Sequence, residues 1–149
     1  MSKFPDSYPK DLLERIIEDG AGDNIFENVY RIDNHGKCDR DTFLSSYLEK
    51  QKENGINNRD SYKQQNDEYD IGEYSTSLNS NKREIKNTLK CFEKHGKKPR
   101  ILIGNIDPKY GKSMKTRESK SQRYSKRNHI DWWLYEDADP SKDFRYLEE

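Results

Sequence analysis

Apolar residues are sparse along this chain and gather into a few short periodic runs. From Pro9 to Asp19, Leu12, Leu13, Ile16 and Ile17 recur at helical spacing, which predicts an amphipathic helix terminated by Gly20. Asn28 to Ile32 alternates like a short strand and carries Arg31. Asp39 to Glu53 returns to a helical period, with Phe43, Tyr47 and Leu48 as the inner stripe and Asp39 or Asp41 as the cap. Tyr74 to Leu78 reads as extended. Ser80 or Asn81 then caps a helix bearing Ile85, Leu89 and Phe92; Asn81 and Glu84 stand at capping-box spacing, and Gly96 closes the helix. Arg100 to Ile106 is the most apolar run and is expected to be the most buried strand. Two polar stretches, at about 54–72 and 107–128, read as long loops. Pro140 opens an acidic tail in which Phe144, Tyr146 and Leu147 are available to dock.

The stretch from His129 to Glu136 holds both tryptophans. Taken as a strand, it alternates between two faces. Ile130, Trp132 and Leu134 suit a core; His129, Asp131, Trp133 and Tyr135 suit a cleft with aromatic walls and a few orienting polar groups. Trp132 is therefore expected to be buried and Trp133 to face the cleft. The order of elements (helix, strand, helix, strand, helix, strand, strand) predicts a single α+β domain spanning residues 1–149.

Composition narrows this picture. Charged residues make up 38% of the chain and hydrophobic residues only 30%, which leans toward disorder. The balance of 28 basic against 28 acidic residues and the ten tyrosines point instead to a folded domain with a thin core. Zero net charge excludes a globally basic binder and a wholesale acidic mimic of nucleic acid. Cys38 and Cys91 are too few for a disulfide framework and lack zinc-ligand spacing. Cys91 falls near the inner stripe of its helix, which argues against a Cys–His nucleophile. No apolar run approaches about 18 residues, so a cytoplasmic protein without a membrane span is expected.

Three polar groups fall on predicted strands: Arg31, the triplet Ser75-Thr76-Ser77, and the set His129, Asp131 and Glu136. An apolar strand ending in Gly104 lies between the last two. In this order they resemble the ADP-ribosyltransferase superfamily across most of the chain. The resemblance implies a small split mixed sheet with helices, NAD or a related nucleotide as cofactor, and cleavage of the nicotinamide–ribose bond. Arg31 would hold a phosphate or ribose, Ser75 would position the nicotinamide half, and Thr76 and Ser77 would support the strand. Trp133 or Tyr135 would stack on a flat ring. The acid would be Glu136 or Asp131, with His129 nearby; in a regular strand the two carboxylates take opposite faces, so the choice stays open. The Tyr-Ser-Thr-Ser and His-Ile-Asp-Trp-Trp segments are also similar to small proteins of bacteria and their mobile elements.

A different class of function is written in the stretch 109–127. Its eight cations, among them Lys115, Arg117, Lys120 and Arg123, are interspersed with Tyr110 and Tyr124. Such a loop suits a phosphate backbone with stacked bases. A non-catalytic module, for example a mobile-element-encoded inhibitor of a protein target, would use this loop and the acidic tail as contact surfaces.

Overall fold

The computed structural model describes residues 3–34, 36–54, 69–94, 98–122 and 128–147. These form six strands: β1 (Phe26–Asp33), β2 (Thr76–Asn79), β3 (Arg100–Ile106), β4 (Gly111–Lys115), β5 (His129–Leu134) and β6 (Phe144–Tyr146). Among the described residues there are three α-helices: α1 (Leu12–Asp19), α2 (Ser46–Asn54) and α3 (Lys82–Lys94). The strands make one sheet in the order β4-β5-β2-β1-β3-β6, so the α+β class holds.

The expected mixed sheet is not formed, because every neighbouring pair is antiparallel. The reason lies in the crossover. Helix α3 links β2 to β3, which run the same way, but β1 lies between them and opposes both. The parallel relation therefore never becomes a ladder. β1 and β2 share a single register pair, Tyr30 with Asn79, whereas β1 and β3 pair along most of their length.

Strand β5 is covered on both faces. Trp132 packs with Val29, Phe43, Leu78, Leu102 and Ile130 in one core. Trp133 packs with Tyr8, Leu12, Ile16, Tyr47, Tyr74 and Met114 in a second. Both indoles are 0% exposed, which corrects the expectation that Trp133 faces a cleft. Helix α1 and the 3-10 turn Ile71–Tyr74 lie over that face, and the Trp133 indole donates to the Ile71 carbonyl at 2.9 Å.

Helix α1 ends at Gly20, whose φ of 124° is a conformation that glycine adopts without penalty. Its inner stripe is narrower than the periodicity implied: Leu12 and Ile16 are buried, while Leu13 and Ile17 are exposed. The helix expected from Asp39 to Glu53 is two elements. Asp39 caps a 3-10 turn, Arg40–Phe43, through a reciprocal box with Thr42; Leu44 is extended; then α2 begins. Ser45 Oγ receives the Leu48 N–H at 3.2 Å and serves as the second cap.

The stretch 107–128 is also not simply a loop. It contains the 3-10 turns Pro108–Tyr110 and Thr116–Glu118, with β4 between them. Apart from Met114, its buried positions are small or polar (Gly111, Ser113, Thr116), so they carry no hydrophobic alternation. Gly111 has no room for a side chain because β4 approaches β5 closely there: a Cβ on it would stand 2.0 Å from the Trp133 carbonyl oxygen. In the expected loop at 54–72, residues 55–68 lie outside the described residues, as does the stop at Gly96. The tail docks as β6 on β3, and the Leu147 N–H reaches the Ile101 carbonyl at 2.8 Å. Among the described residues no helix is long and apolar enough to cross a membrane.

Two expectations follow. Trp132→Ala and Trp133→Ala should each cost about 3–5 kcal/mol in denaturant unfolding, since both remove a fully buried large side chain. In single-tryptophan variants, carried by Phe at the other position, acrylamide should quench both indoles equally poorly. Tyr8 gives a pH dependence. Burial pushes its phenol up to about 12, against a Ser45 bond that pulls the other way. The raised folded value means the stabilisation is complete below the unfolded value of about 10 and is lost as pH rises toward 12. Unfolding midpoints should fall across that window by an amount on the order of 2–3 kcal/mol, and Tyr8→Phe should flatten the decline.

Candidate functional site

The β1/β2 junction is where the sheet is thinnest in hydrogen bonds, and Arg31 occupies it. Its Nε donates to the Thr42 carbonyl and its Nη1 to the Ser77 carbonyl, both at 2.7 Å. Nη2 lies 3.4 Å from the Leu44 carbonyl and 3.5 Å from a Glu49 carboxylate oxygen. One planar fork thus ties β2 to the segment between β1 and α2, where the ladder supplies little. Burial pushes the Arg31 pKa down, opposed by Glu49 and then Asp33. The guanidinium stays charged at any ordinary pH.

Above this junction opens a cleft of about 1060 Å³ between the sheet, α2 and α3. Its walls include Arg31, Glu49, Ser75, Ser77, Asn79, Glu84, Thr88 and His129. A smaller recess of about 230 Å³ shares Ser46, Ser77 and His129 with it and is lined further by Gly72, Thr116, Gln122 and Asp131.

Asp131 is the most completely engaged group here. It sits on β5 at 1% exposure, opposite Ser77 on β2. Ser75 Oγ donates to its Oδ1 at 2.7 Å. Thr116 Oγ1 and Gln122 Nε2 donate to its Oδ2 at 2.8 and 2.9 Å. His129 Nδ1 bonds Thr116 Oγ1 and lies 4.0 Å from Asp131 Oδ1. Gln122 reaches the carboxylate because the chain before it is pinned. Buried Asp19 accepts from the Ser119 hydroxyl and, at 2.7 Å, from the Ser121 N–H; Ser119 Oγ in turn receives the Gln122 N–H at 3.0 Å.

The other expected residues are placed as follows. Thr76 turns away from the recess, and its hydroxyl donates to the Phe43 carbonyl at 2.6 Å. Ser77 is exposed and lines both cavities. Trp133 is core. Tyr135 stacks on Phe4 at 5.6 Å, and Glu136 is an exposed turn residue 3.7 Å from Lys3. None of these three lines either cavity. The strand ends at Leu134, so Glu136 is carried out of the sheet. Of the two acids, Asp131 is the one brought to Ser75; it lines the smaller recess, while Arg31 lines the cleft.

Among the cations of the alternative interface, Lys115 is half-buried on β4, while Arg117 and Lys120 are exposed beyond it. Lys112 is held 2.7 Å from Asp23, and Arg123 lies outside the described residues. Cys91 is exposed, contrary to its expected place near the inner stripe; Cys38 is half-buried.

Sequence reasoning missed Glu49, Thr116 and Gln122 as site residues, and it read Glu84 only as a cap. The Glu84 N–H does bond Asn81 Oδ1 at 3.0 Å, completing half of the box. Its carboxylate, however, receives the Asn79 and Asn128 amides, and Asn81 N–H turns to Asn79 Oδ1. Nothing in the local spacing of Thr116 or Gln122 marks them, because their partner lies on another strand. No family model, no curated protein and no solved structure matches this chain.

Arg31→Ala should strip donors from the carbonyls of Thr42 and Ser77 and lower stability by about 2–3 kcal/mol in urea unfolding. Arg31→Lys keeps the charge but spans fewer acceptors, and it should recover less than half of that loss.

Proposed function

We propose that the cleft binds NAD or a related nucleotide and that the protein cleaves the nicotinamide–ribose bond, in the manner of the ADP-ribosyltransferases it resembles. The observation that carries this reading is the 2.7 Å bond between Ser75, which lines the cleft with Arg31, and Asp131, which lines the recess that shares Ser46, Ser77 and His129 with it. Breaking the bond from ribose to a cationic nicotinamide leaves an oxocarbenium-like centre. A fixed carboxylate stabilises such a centre without reorganising. Asp131 is that carboxylate here, and Ser75 sets its orientation. Arg31 supplies a fixed positive charge suited to the pyrophosphate, with Lys52 and Lys98 also lining the cleft.

Titrating the full chain with NAD by calorimetry, while following free nicotinamide, tests the reading. Wild type should bind and release nicotinamide. Asp131→Asn should bind NAD about as well and lose about a hundredfold or more in turnover, as removing one transition-state stabiliser does. Glu136→Gln should change neither quantity. Absence of binding at millimolar NAD would discard the transferase reading in favour of a protein- or nucleic-acid-binding module.

A further inference from the structure

Arg31 and Glu49 both line the cleft, and they meet through the least committed nitrogen of the guanidinium. Two of the five N–H groups of Arg31 are spent on the Thr42 and Ser77 carbonyls at 2.7 Å. The Nη2 group is not held in this way. Its acceptors, the Leu44 carbonyl and Glu49 Oε1, stand at 3.4 and 3.5 Å, too far for good hydrogen bonds. The Arg31 side chain is 12% exposed and that of Glu49 48%, so the positive partner is fixed and the negative one is free to turn toward solvent. Nη2 is therefore where a ligand oxygen can be held, and Glu49 is the charge it meets there. The other charged walls are engaged elsewhere or lie apart. Lys52 stands 2.6 Å from Asp41, Glu84 accepts from the Asn79 and Asn128 amides, and exposed Lys98 sits ahead of β3.

We propose that Glu49 is a specificity-determining residue: it lets the cleft take a singly charged phosphate bridge, as in a dinucleotide, and disfavours a terminal phosphate. The proposal rests on the nucleotide-binding reading above and deepens it by naming the class of phosphate accepted. Beside Nη2 the charges of Arg31 and Glu49 nearly cancel. A phosphate that is esterified on both sides brings one negative charge, which takes the place of the carboxylate on Nη2 as Glu49 turns outward. A terminal phosphate is doubly charged above its second pKa of about 6. At the same point it meets about twice the repulsion from Glu49, in a partly buried place where charges are weakly screened. Glu49 thus acts on the ligand by repulsion, as a selective site must when its attractive partner alone would accept either anion.

Calorimetry on the full chain at pH 8, with EDTA to keep metal ions off the phosphates, compares ADP-ribose with ADP. Each phosphate of ADP-ribose carries one charge, whereas the outer phosphate of ADP carries two. Wild type should bind ADP-ribose more tightly. The extra ribose makes contacts of its own, so the deciding quantity is how the ratio of the two affinities changes with Glu49. Glu49→Gln should narrow the ratio about tenfold, mainly by tightening ADP, as removing one charge close to another at a protein surface does. Glu49→Asp keeps the charge and should hold the ratio nearer to wild type. In wild type alone, raising salt from about 50 to about 500 mM should narrow the same ratio, which tests the charge without any substitution. A ratio unmoved by Glu49→Gln and by salt overturns the proposal. So does wild type that binds ADP as tightly as ADP-ribose, or that binds neither at millimolar concentration. Nicotinamide release is a separate readout: NAD that binds uncleaved ends the transferase reading, whereas the role of Glu49 stands or falls on the affinity ratio.

Discussion

The structure depends on β5 being buried on both of its faces. Tandem tryptophans at 132 and 133 point in opposite directions from one strand, and each anchors a separate core. In a chain with so few apolar residues, this is an economical way to fill two layers from one element. It also sets a constraint on everything between the tryptophans and the start of the strand. Asp131 cannot reach bulk water at 1% exposure, so its carboxylate has to be met by protein donors. Ser75, Thr116 and Gln122 come from three other segments to meet it.

That demand explains features that otherwise look unrelated. Ser75 precedes β2 by one residue and is turned inward toward β5. Thr116 follows β4 directly and opens a 3-10 turn that aims its hydroxyl at the same oxygen as Gln122. Buried Asp19, at the end of α1, pins the segment from Ser119 to Ser121 and thereby delivers Gln122. A buried polar network of this kind contributes specificity only when each member is satisfied, because an orphaned group in low dielectric costs more than a good bond returns.

The β1/β2 junction is the other constraint. A sheet held there by one register pair would be weak without Arg31, which bridges main-chain carbonyls on both sides of the gap. The same weakness leaves room for the cleft between α2, α3 and the sheet. Arg31 is thus both a fastening and a wall of the cavity. Asp131 and Ser75 are tied into the fold as well, since a change of polarity at either leaves partners in the buried network unsatisfied.

Much of the architecture was legible in the amino-acid order. The α+β class, the caps at Asp39 and Asn81, the Gly20 stop, strand Arg100–Ile106, the docking tail and the candidate status of Arg31, Ser75, His129 and Asp131 are properties of local spacing and side-chain chemistry. What local order could not decide was partnership across the sheet. Strand β4 carries a single apolar core residue, Met114, and its Gly111 is fitted to the closeness of the Trp133 main chain, so no hydrophobic alternation marks it. Trp133 looked like a cleft wall because α1 and the Ile71–Tyr74 turn, which cover it, are remote in sequence. That Asp131 lines the recess while Glu136 is carried out of the sheet likewise turned on where β5 ends and which hydroxyls reach it from beside β2 and β4. Periodicity records which face a residue takes; only the packed chain decides what that face meets.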